Sequence, residues 1–205
     1  MKDSNQDDAK IKKIKSLIEK ANHHLKLNEL RAAAYYYHQA LEIDPENSKI
    51  WDNRGVVLSK AKKFEEALES FEISLDLEPD NVKAWLNMGV TLASLKRFDE
   101  AINSFNKAIE LDVNDDEAWN NKGSALFSQE KYPEALECFD KAIQLNRKNP
   151  MAWAGRGSTL RFMEDYEGAI ESLEEFISLA SPELSPQVEE AWAIILELKF
   201  QLNRE

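Results

Sequence analysis

The sequence predicts an all-α protein built from repeated helix pairs. Four of the five tryptophans recur at a constant spacing of 34 residues, and a glycine follows each of them four residues later. A repeat of this length is typical of stacked helical repeats. Only six glycines and six prolines occur among the 205 residues, which argues against a many-turned β-sandwich. The four periodic tryptophans are Trp51, Trp85, Trp119 and Trp153.

The composition excludes several classes of function. The 38 acidic residues outnumber the 26 basic ones, and the net charge of −12 disfavours a nucleic-acid partner. Cys138 is the single cysteine, so an internal disulfide framework and a cysteine-based zinc site are both excluded. We therefore expect a cytoplasmic protein without a cofactor or a metal.

The chain also lacks sequence signals for a membrane. Its longest apolar run, Ala191 to Leu196, is far shorter than the roughly 18 residues that a membrane helix needs. The polar segment 1–10 has no apolar stretch of the kind found in secretory signals. We expect residues 1–8 to form a flexible tail and residues 9–205 to form a single repeat domain.

The first repeat, residues 14–47, is degenerate. It has Leu17 at the tryptophan position and Ala21 at the glycine position, but it keeps the later Ala33 and Tyr37. Because it lacks both signature residues and has only one neighbour, it should be the least stable repeat.

Four complete repeats follow, and each predicts two amphipathic helices of roughly 12–15 residues. In the first of them the turn between the helices is Lys60 to Lys63. Gly55 and Ala67 are small, which suits the close approach of two helices. The complete repeats are residues 48–81, 82–115, 116–149 and 150–183.

The last predicted element is a capping helix over residues 187–203. An insertion near Ser181 to Pro186 moves Trp192 out of phase with the other tryptophans. The helix is more apolar than one buried stripe requires, so a second stripe should be exposed. Its apolar residues include Val188, Trp192, Ile194, Ile195, Leu196, Leu198, Phe200 and Leu202.

The pattern resembles the tetratricopeptide repeat (TPR) family, and its style resembles prokaryotic or archaeal members. The family motif is W-x2-L-G-x2-Y, then A-x3-F, at a 34-residue period. Here it reads Trp51-x2-Arg54-Gly55-x2-Leu58, then Ala67-x3-Phe71, with Pro79 near the end of the repeat. The resemblance implies a right-handed superhelix, an α-solenoid, of five helix pairs plus the capping helix. First helices would line a concave groove, and second helices would form the convex back.

The resemblance also implies which residues face the groove. We number the columns of a repeat from 1 to 34; columns 2, 5, 6, 9, 12 and 13 face the groove in this family. The residues selected from these columns are Asn22, Lys49, Asn53, Val56, Lys83, Leu86, Asn87, Val90, Asn120, Asn121, Phe127 and Phe162.

Asn53, Asn87 and Asn121 all occupy column 6, and we call them the asparagine ladder. An amide side chain can pair with both groups of a peptide backbone. We therefore expect a non-enzymatic adaptor that binds a peptide segment or a helix of a partner protein in its groove. The alternative is an assembly protein that self-associates through its apolar C-terminal helix.

Two narrower functions find little support in the sequence. No nucleophile elbow or phosphate-binding loop is present, and no catalytic residue is predicted. The carboxylate clamp of chaperone-binding members needs cations at positions that Ile18 and Asn87 occupy here, although Asn22, Asn53 and Lys83 match. We expect Cys138 to be a small, partly exposed structural residue, because other repeats have serine in its column.

Overall fold

A computed structural model describes the backbone of residues 2–203 and the side chains of residues 8–203. Within residues 2–203 the chain forms eleven α-helices and one short 3-10 turn, and no strand is found there. The chain divides into two compact units, Met1–Ser104 and Phe105–Glu205, with the division inside one helix. Each unit is described separately below.

The first unit contains five complete helices and the start of a sixth. From α1 to α5, each helix packs against the next one along the chain, and α3 also contacts α5. The helices are α1 (Lys2–Lys26), α2 (Leu30–Leu41), α3 (Ser48–Lys60), α4 (Phe64–Leu77), α5 (Val82–Ser94) and α6 (Phe98–Leu111).

The N-terminal segment differs from the flexible tail that we predicted for residues 1–8. Helix α1 begins at Lys2, so that part of this segment is helical. Neither glycine nor proline separates the segment from the apolar pattern that begins at Ile11. Lys, Asp, Gln and Ala are compatible with a helix, and the helix extends through them. Residue 1 lies outside the described residues.

The second unit contains the remaining helices. Each helix from α7 to α11 packs against the next one, and α7 also contacts α9. The helices are α7 (Asp116–Ser128), α8 (Tyr132–Leu145), α9 (Pro150–Phe162), α10 (Tyr166–Leu179) and α11 (Ser185–Leu202), with the 3-10 turn Pro182–Leu184 before α11. Helix α11 is the observed counterpart of the capping helix predicted over residues 187–203.

An asparagine or aspartate caps the first helix of each complete repeat. Asn47, Asn81, Asp115 and Asn149 have extended backbones, and their side-chain oxygens accept hydrogen bonds from amides in the first turn. Each cap satisfies a backbone donor that has no partner inside the helix. The caps recur every 34 residues and set the starts of α3, α5, α7 and α9.

The turn inside each helix pair depends on a left-handed residue that is never glycine. Asn28, Lys62, Lys96, Glu130 and Glu164 have φ values of 58–64° and occupy one column of the repeat. Only the asparagine adopts this conformation with little strain. The turn closes with a hydrogen bond to the first helix, as from the Lys63 amide to the Leu58 carbonyl at 2.9 Å.

The periodic tryptophans form hydrogen bonds that stabilise the turns between repeats. Each indole N–H donates to the carbonyl six residues earlier, at 2.8–3.0 Å. The rings are half-buried, and the hydrogen bond satisfies the one polar group of each ring. The acceptors are the carbonyls of Pro45, Pro79, Val113 and Arg147.

Trp192 differs from the four periodic tryptophans. It stays 47% exposed. The insertion before α11 moves it off the repeat phase, and α11 turns Ile195 and Leu198 inward instead, each 1% exposed. Those two side chains pack in one buried cluster with Leu160, Leu173 and other apolar residues of α9 and α10.

Glycine at column 8 allows a phenylalanine of the second helix to lie against the first helix. A Cβ at Gly55 would lie 2.6 Å from the Phe71 ring. That separation is far below contact distance, so any larger residue would displace the ring or the helix. Phe71 is fully buried, together with Leu58 and Ala67.

Candidate protein-interaction site

The groove columns of the first unit lie on α1, α3 and α5. Lys49, Asn53, Lys83 and Val90 are exposed, as the sequence predicted. Neither Lys49 nor Asn53 forms a side-chain hydrogen bond or ion pair within the described part of the chain. Their polar groups are therefore free to contact another molecule.

Asn87 is engaged within the first unit. Its Nδ2 donates to Oδ1 of Asp52 at 3.3 Å, and both side chains are half-buried. Burial raises the pKa of Asp52, against the opposing effects of the Asn87 hydrogen bond and the Lys83 charge. Asp52 was not among the predicted site residues, although it occupies groove column 5.

Asn22 is engaged in a similar way. The Tyr37 hydroxyl donates to Asn22 Oδ1 at 2.6 Å, while the rest of the asparagine is exposed. Burial, and to a lesser extent the Asp52 charge, raises the pKa of Tyr37. The hydrogen bond holds the Asn22 oxygen in place and leaves its Nδ2 group exposed for a partner.

The apolar part of this groove is smaller than the sequence suggested. Leu86 is only 7% exposed, because α5 packs against both α3 and α4. Val56 is half-buried against the Leu58 and Phe71 cluster. Both were predicted as exposed apolar patches. Val90 alone among the three predicted residues keeps an exposed apolar surface.

In the second unit the groove centres on Asn120. This side chain is only 9% exposed, and its Nδ2 donates weakly to Asn121 Oδ1 at 3.4 Å. Its Oδ1 has no hydrogen-bond partner. A buried polar group without a partner costs about 1–3 kcal/mol.

The three amides of the asparagine ladder are not equally free. Asn87 and Asn121 are half-buried and bonded, so the expectation that their amides point into solvent is wrong, whereas it holds for Asn53.

A cavity of about 300 Å³ opens beside Asn120, between α7 and α9. None of its lining side chains is charged. Two phenylalanines line it, Phe139 of α8 and Phe127 of α7. The lining residues are Asn120, Ser124, Phe127, Ser128, Phe139, Met151, Ala154, Gly155 and Ser158.

Three aromatic rings extend this groove. Phe127 meets Phe162 edge-on with centroids 5.4 Å apart, and Tyr132 stacks on Phe162 at 5.2 Å. Phe162 is mostly exposed and Phe127 is half-buried. The structure thus brings the two predicted phenylalanines together, and it adds Tyr132, which the sequence analysis did not assign to the site.

Basic residues that replace the motif leucine bridge the two helices of a pair. Arg54 donates to Ser70 at 2.7 Å, and Arg156 donates to Ser172 at 2.6 Å. Cys138 takes the place of serine in this column and is buried, contrary to the expected partial exposure. Burial raises the pKa of its thiol to about 11, which leaves it protonated at neutral pH and unsuited to nucleophilic chemistry.

Several residues that shape the site were missed. Asp52, Met151 and Ser158 lie in groove columns but do not belong to the ladder, and Gly155 interrupts the ladder itself. The signal that could have found them is a change of residue type within a column. Each change alters the local surface even though the helices repeat.

The described residues offer neither a metal-ligand group nor a helix suited to a membrane. Among side chains 8–203, no three His, Cys, Asp or Glu residues lie together as a metal-ligand group. Over residues 2–203, none of the helices combines the length and the apolar character needed to cross a membrane.

These helix pairs, with their caps, glycines and tryptophans in fixed columns, define an α-solenoid repeat protein. Models described as tetratricopeptide repeat match residues 48–81, 82–115, 116–149 and 152–182, which together make up more than half of the chain. The chain belongs to the tetratricopeptide repeat family. Repeats of this family are protein-interaction scaffolds, and the fold is typically a non-catalytic module.

Solved structures agree with the fold class. PilF of Pseudomonas aeruginosa is 21% identical, with a TM-score of 0.76 over 96% of this chain and 93% of that one. MamA of Desulfovibrio magneticus RS-1 is 18% identical, with a TM-score of 0.75 over 82% and 94%. YrrB, described as a TPR protein with an unusual peptide-binding site, is 27% identical, with a TM-score of 0.66 over 85% and 90%. The sequence search of curated proteins gave no match. The predicted all-α solenoid is confirmed.

Proposed function

We propose that this chain is a non-enzymatic adaptor whose first helices bind a peptide segment or a helix of a partner protein. The observation that carries the proposal is the exposure of Lys49 and Asn53 on α3 without any internal partner. A side chain that neither packs against other residues nor forms a hydrogen bond or ion pair contributes little to the stability of the fold. Polar groups held on a rigid helix are suited to recognition of a peptide backbone or a charged side chain.

The wider groove supports the same function. Lys83 adds a second cation, Val90 adds apolar surface, and Asn22 offers a free amide group in the first unit. The described YrrB structure has a peptide-binding site, and its likeness to this chain makes a peptide ligand the natural first candidate. The net charge of −12 favours a protein over a nucleic acid as the partner.

The test begins with a phage-displayed library of random dodecapeptides, selected on the full chain. Enriched peptides are synthesised with a fluorophore, and their affinity is measured by anisotropy titration. We expect the triple variant Asn53→Ala, Asn87→Ala, Asn121→Ala to weaken binding by roughly 2- to 10-fold or more. The loss of the free Asn53 amide accounts for about 0.5–1.5 kcal/mol, and Asn87 and Asn121 add less because they are already bonded inside the chain.

The matched control is the double variant Glu69→Ala, Glu72→Ala, which changes exposed side chains on the second helix α4. It should bind as the parent does, and circular dichroism melts should show that both variants fold. Failure of any peptide to enrich, or equal binding by the triple variant, would rule out the groove as the docking site.

The second candidate function is self-association through α11. Trp192, Leu196 and Phe200 are 47%, 68% and 63% exposed and lie four residues apart on one face of the helix. In two antiparallel helices centred on Leu196, Trp192 of one copy would meet Phe200 of the other. The stripe is small for a stable dimer, so the association would be weak.

Light scattering over a series of protein concentrations tests this candidate. The apparent mass should rise with concentration in the parent and stay monomeric in Leu196→Glu. The control is Gln201→Glu, which adds the same negative charge at an exposed position on another face of the helix. A concentration-independent monomer in the parent would eliminate the candidate.

A further inference from the structure

The groove of the second unit contains a preformed pocket. The cavity of about 300 Å³ between α7 and α9 is at the lower end of the range for ligand sites. Its walls are side chains of Phe127, Met151 and Ala154 together with small polar groups, and none carries a charge. A charged group entering it would lose its hydration without meeting an opposite charge, so the pocket selects against charge.

The asparagine ladder stops at Gly155, which is one of the residues that line the pocket. Column 6 holds asparagine in three repeats and glycine in the last one. A Cβ at Gly155 would lie only 2.4 Å from the Phe139 ring. The ring occupies the space that a side chain at Gly155 would need, so an asparagine could not be accommodated there with the ring in its present place.

Asn120 supplies a polar anchor beside this apolar space. It lines the cavity, is about nine-tenths buried, and its Oδ1 lacks a hydrogen-bond donor. Rotation about χ2 is soft for asparagine, so the amide can adjust to a donor that enters the pocket. A backbone N–H or another uncharged donor entering the pocket would satisfy this group.

A second, smaller cavity continues the groove on the other side of α9. It has a volume of about 140 Å³ and lies between α9 and α11. Met151, Ala154 and Ser158 line both cavities. A chain segment that crosses α9 would thus meet two neighbouring recesses.

We infer that the α7–α9 cavity is a specificity pocket for one uncharged apolar side chain of a partner segment, with Asn120 accepting a hydrogen bond from that segment. The inference rests on the proposed groove function and adds the chemistry of the ligand. The cavity admits one large apolar side chain, and the uncharged walls and the unpaired Asn120 oxygen match such a residue with its own backbone N–H.

The test uses the dodecapeptides selected on the full chain. Ser158→Phe places a ring in the cavity, and Ser178→Phe makes the same change on the exposed surface of α10. We expect Ser158→Phe to weaken binding roughly 10- to 100-fold, the equivalent of about 1.5–3 kcal/mol for one buried apolar side chain. Ser178→Phe should bind as the parent does. Asn120→Ala should weaken binding by roughly 2- to 10-fold.

The peptide side of the experiment is an alanine scan of the best binder. One apolar residue should dominate the affinity, and its replacement should have no further effect in Ser158→Phe. If Ser158→Phe does not fold, Ala154→Leu replaces it, and a shift of the Asn120 side-chain amide signals on titration provides a direct readout of the pocket.

Each other outcome overturns the inference in a recognisable way. If peptides bind and the asparagine triple variant weakens them, but Ser158→Phe and Asn120→Ala do not, the groove functions and the pocket does not. A dominant charged residue in the alanine scan would contradict the uncharged lining. If Ser158→Phe dissociates a dimer of the parent, the occupant is a second copy. If no peptide enriches, the proposed function itself fails.

Discussion

The grooves of the two units are built on the same helix pairs but present different chemistry. In column 5, the first unit has Asp52 and the second has Asn120. Asp52 accepts a hydrogen bond from Asn87 and lies in the field of Lys83, whereas the Asn120 oxygen has no partner and adjoins an uncharged cavity. At these positions the first groove has a carboxylate that is bonded inside its unit, and the second has an unpaired amide oxygen beside an uncharged cavity.

This difference shows how a repeat protein separates two sets of residues. One set, which we call the frame, holds the helix pairs together, and the other forms the recognition surface. Caps, left-handed turns and tryptophan hydrogen bonds recur in both units with the same geometry. Groove column 2 is exposed in all four complete repeats and can change without disturbing the frame, whereas column 5 is half-buried or buried. The following predictions examine the frame and the grooves in turn, from the largest expected effect to the smallest.

The largest effect should come from the phenylalanines that lie against the column 8 glycines. Phe71→Ala in the first unit should lower the free energy of unfolding by about 3–5 kcal/mol. Phe139→Ala should cost less, because Phe139 already borders the groove cavity and the new space opens into it. Urea unfolding of both variants measures the difference. Equal losses of unfolding free energy in the two variants would mean that the cavity does not reduce the cost of removing the Phe139 ring.

A smaller effect should come from filling the space beside those rings. Gly55→Ala brings a methyl group to 2.6 Å from Phe71, which is enclosed in the core, so we expect a loss of about 1–3 kcal/mol. Gly155→Ala creates an even closer contact, but the Phe139 ring can move into the cavity. Gly155→Ala should therefore lose less stability than Gly55→Ala in thermal and urea unfolding. The reverse order would contradict the cavity beside Phe139.

The turns should respond equally in the two units. Lys62→Gly and Glu130→Gly remove a side chain from a left-handed backbone, and each should raise the free energy of unfolding by about 0.5–1 kcal/mol. Asn28→Gly is the control and should gain less, because asparagine tolerates this conformation. A large difference between Lys62→Gly and Glu130→Gly would show that the frames of the two units are not equivalent.

The smallest effect should come from the charge in the first groove. Burial raises the pKa of Asp52, so the folded state binds its proton more tightly than the unfolded state does. The stability that this provides is present below the ordinary aspartate pKa of about 3.9 and is lost as the pH rises through the folded-state pKa. Asp52→Asn should therefore gain stability, relative to the parent, as the pH rises from about 4 to 7.

Urea unfolding of the parent and of Asp52→Asn at both pH values measures this change. Asp76→Asn on the exposed end of α4 is the control and should show no such trend. A constant difference between Asp52→Asn and the parent across the range would mean that Asp52 is not desolvated.

Much of the fold could be predicted because it depends on residue type at a fixed period. The 34-residue spacing of Trp51 and its counterparts, with Gly55 four residues later, predicts helix pairs without any knowledge of coordinates. The asparagine caps could also have been recognised, since Asn47 directly precedes a predicted helix. The turns could not, because Lys62 and Glu130 give no sign of a left-handed backbone.

The site could be predicted less well, because it depends on neighbours that are distant in sequence. Asp52 and Asn87 are 35 residues apart, and only the packing of α3 and α5 brings them within 3.3 Å. Leu86 is buried by two other helices, which its own column does not reveal. The cavity is lined by residues of three helices, α7, α8 and α9, so no single column of the repeat reveals it.

The predicted division into five repeats and a capping helix, and the placement of the groove residues in a binding site, stay predictions. The family matches and the structure show the helix pairs and where each side chain lies. Binding experiments are needed to show what the exposed columns contact.

The most direct test of a groove on the first helices is chemical-shift mapping of the full chain with a selected dodecapeptide. Backbone amide and asparagine side-chain signals are followed through a titration to saturation. The shifts should concentrate on the groove columns of first helices, on α7 and α9 for an apolar peptide, near Asn120 and Ser158. Shifts concentrated on the second helices α8 and α10, or on the face of α11 that carries Trp192 and Leu196, would contradict the groove as the binding surface.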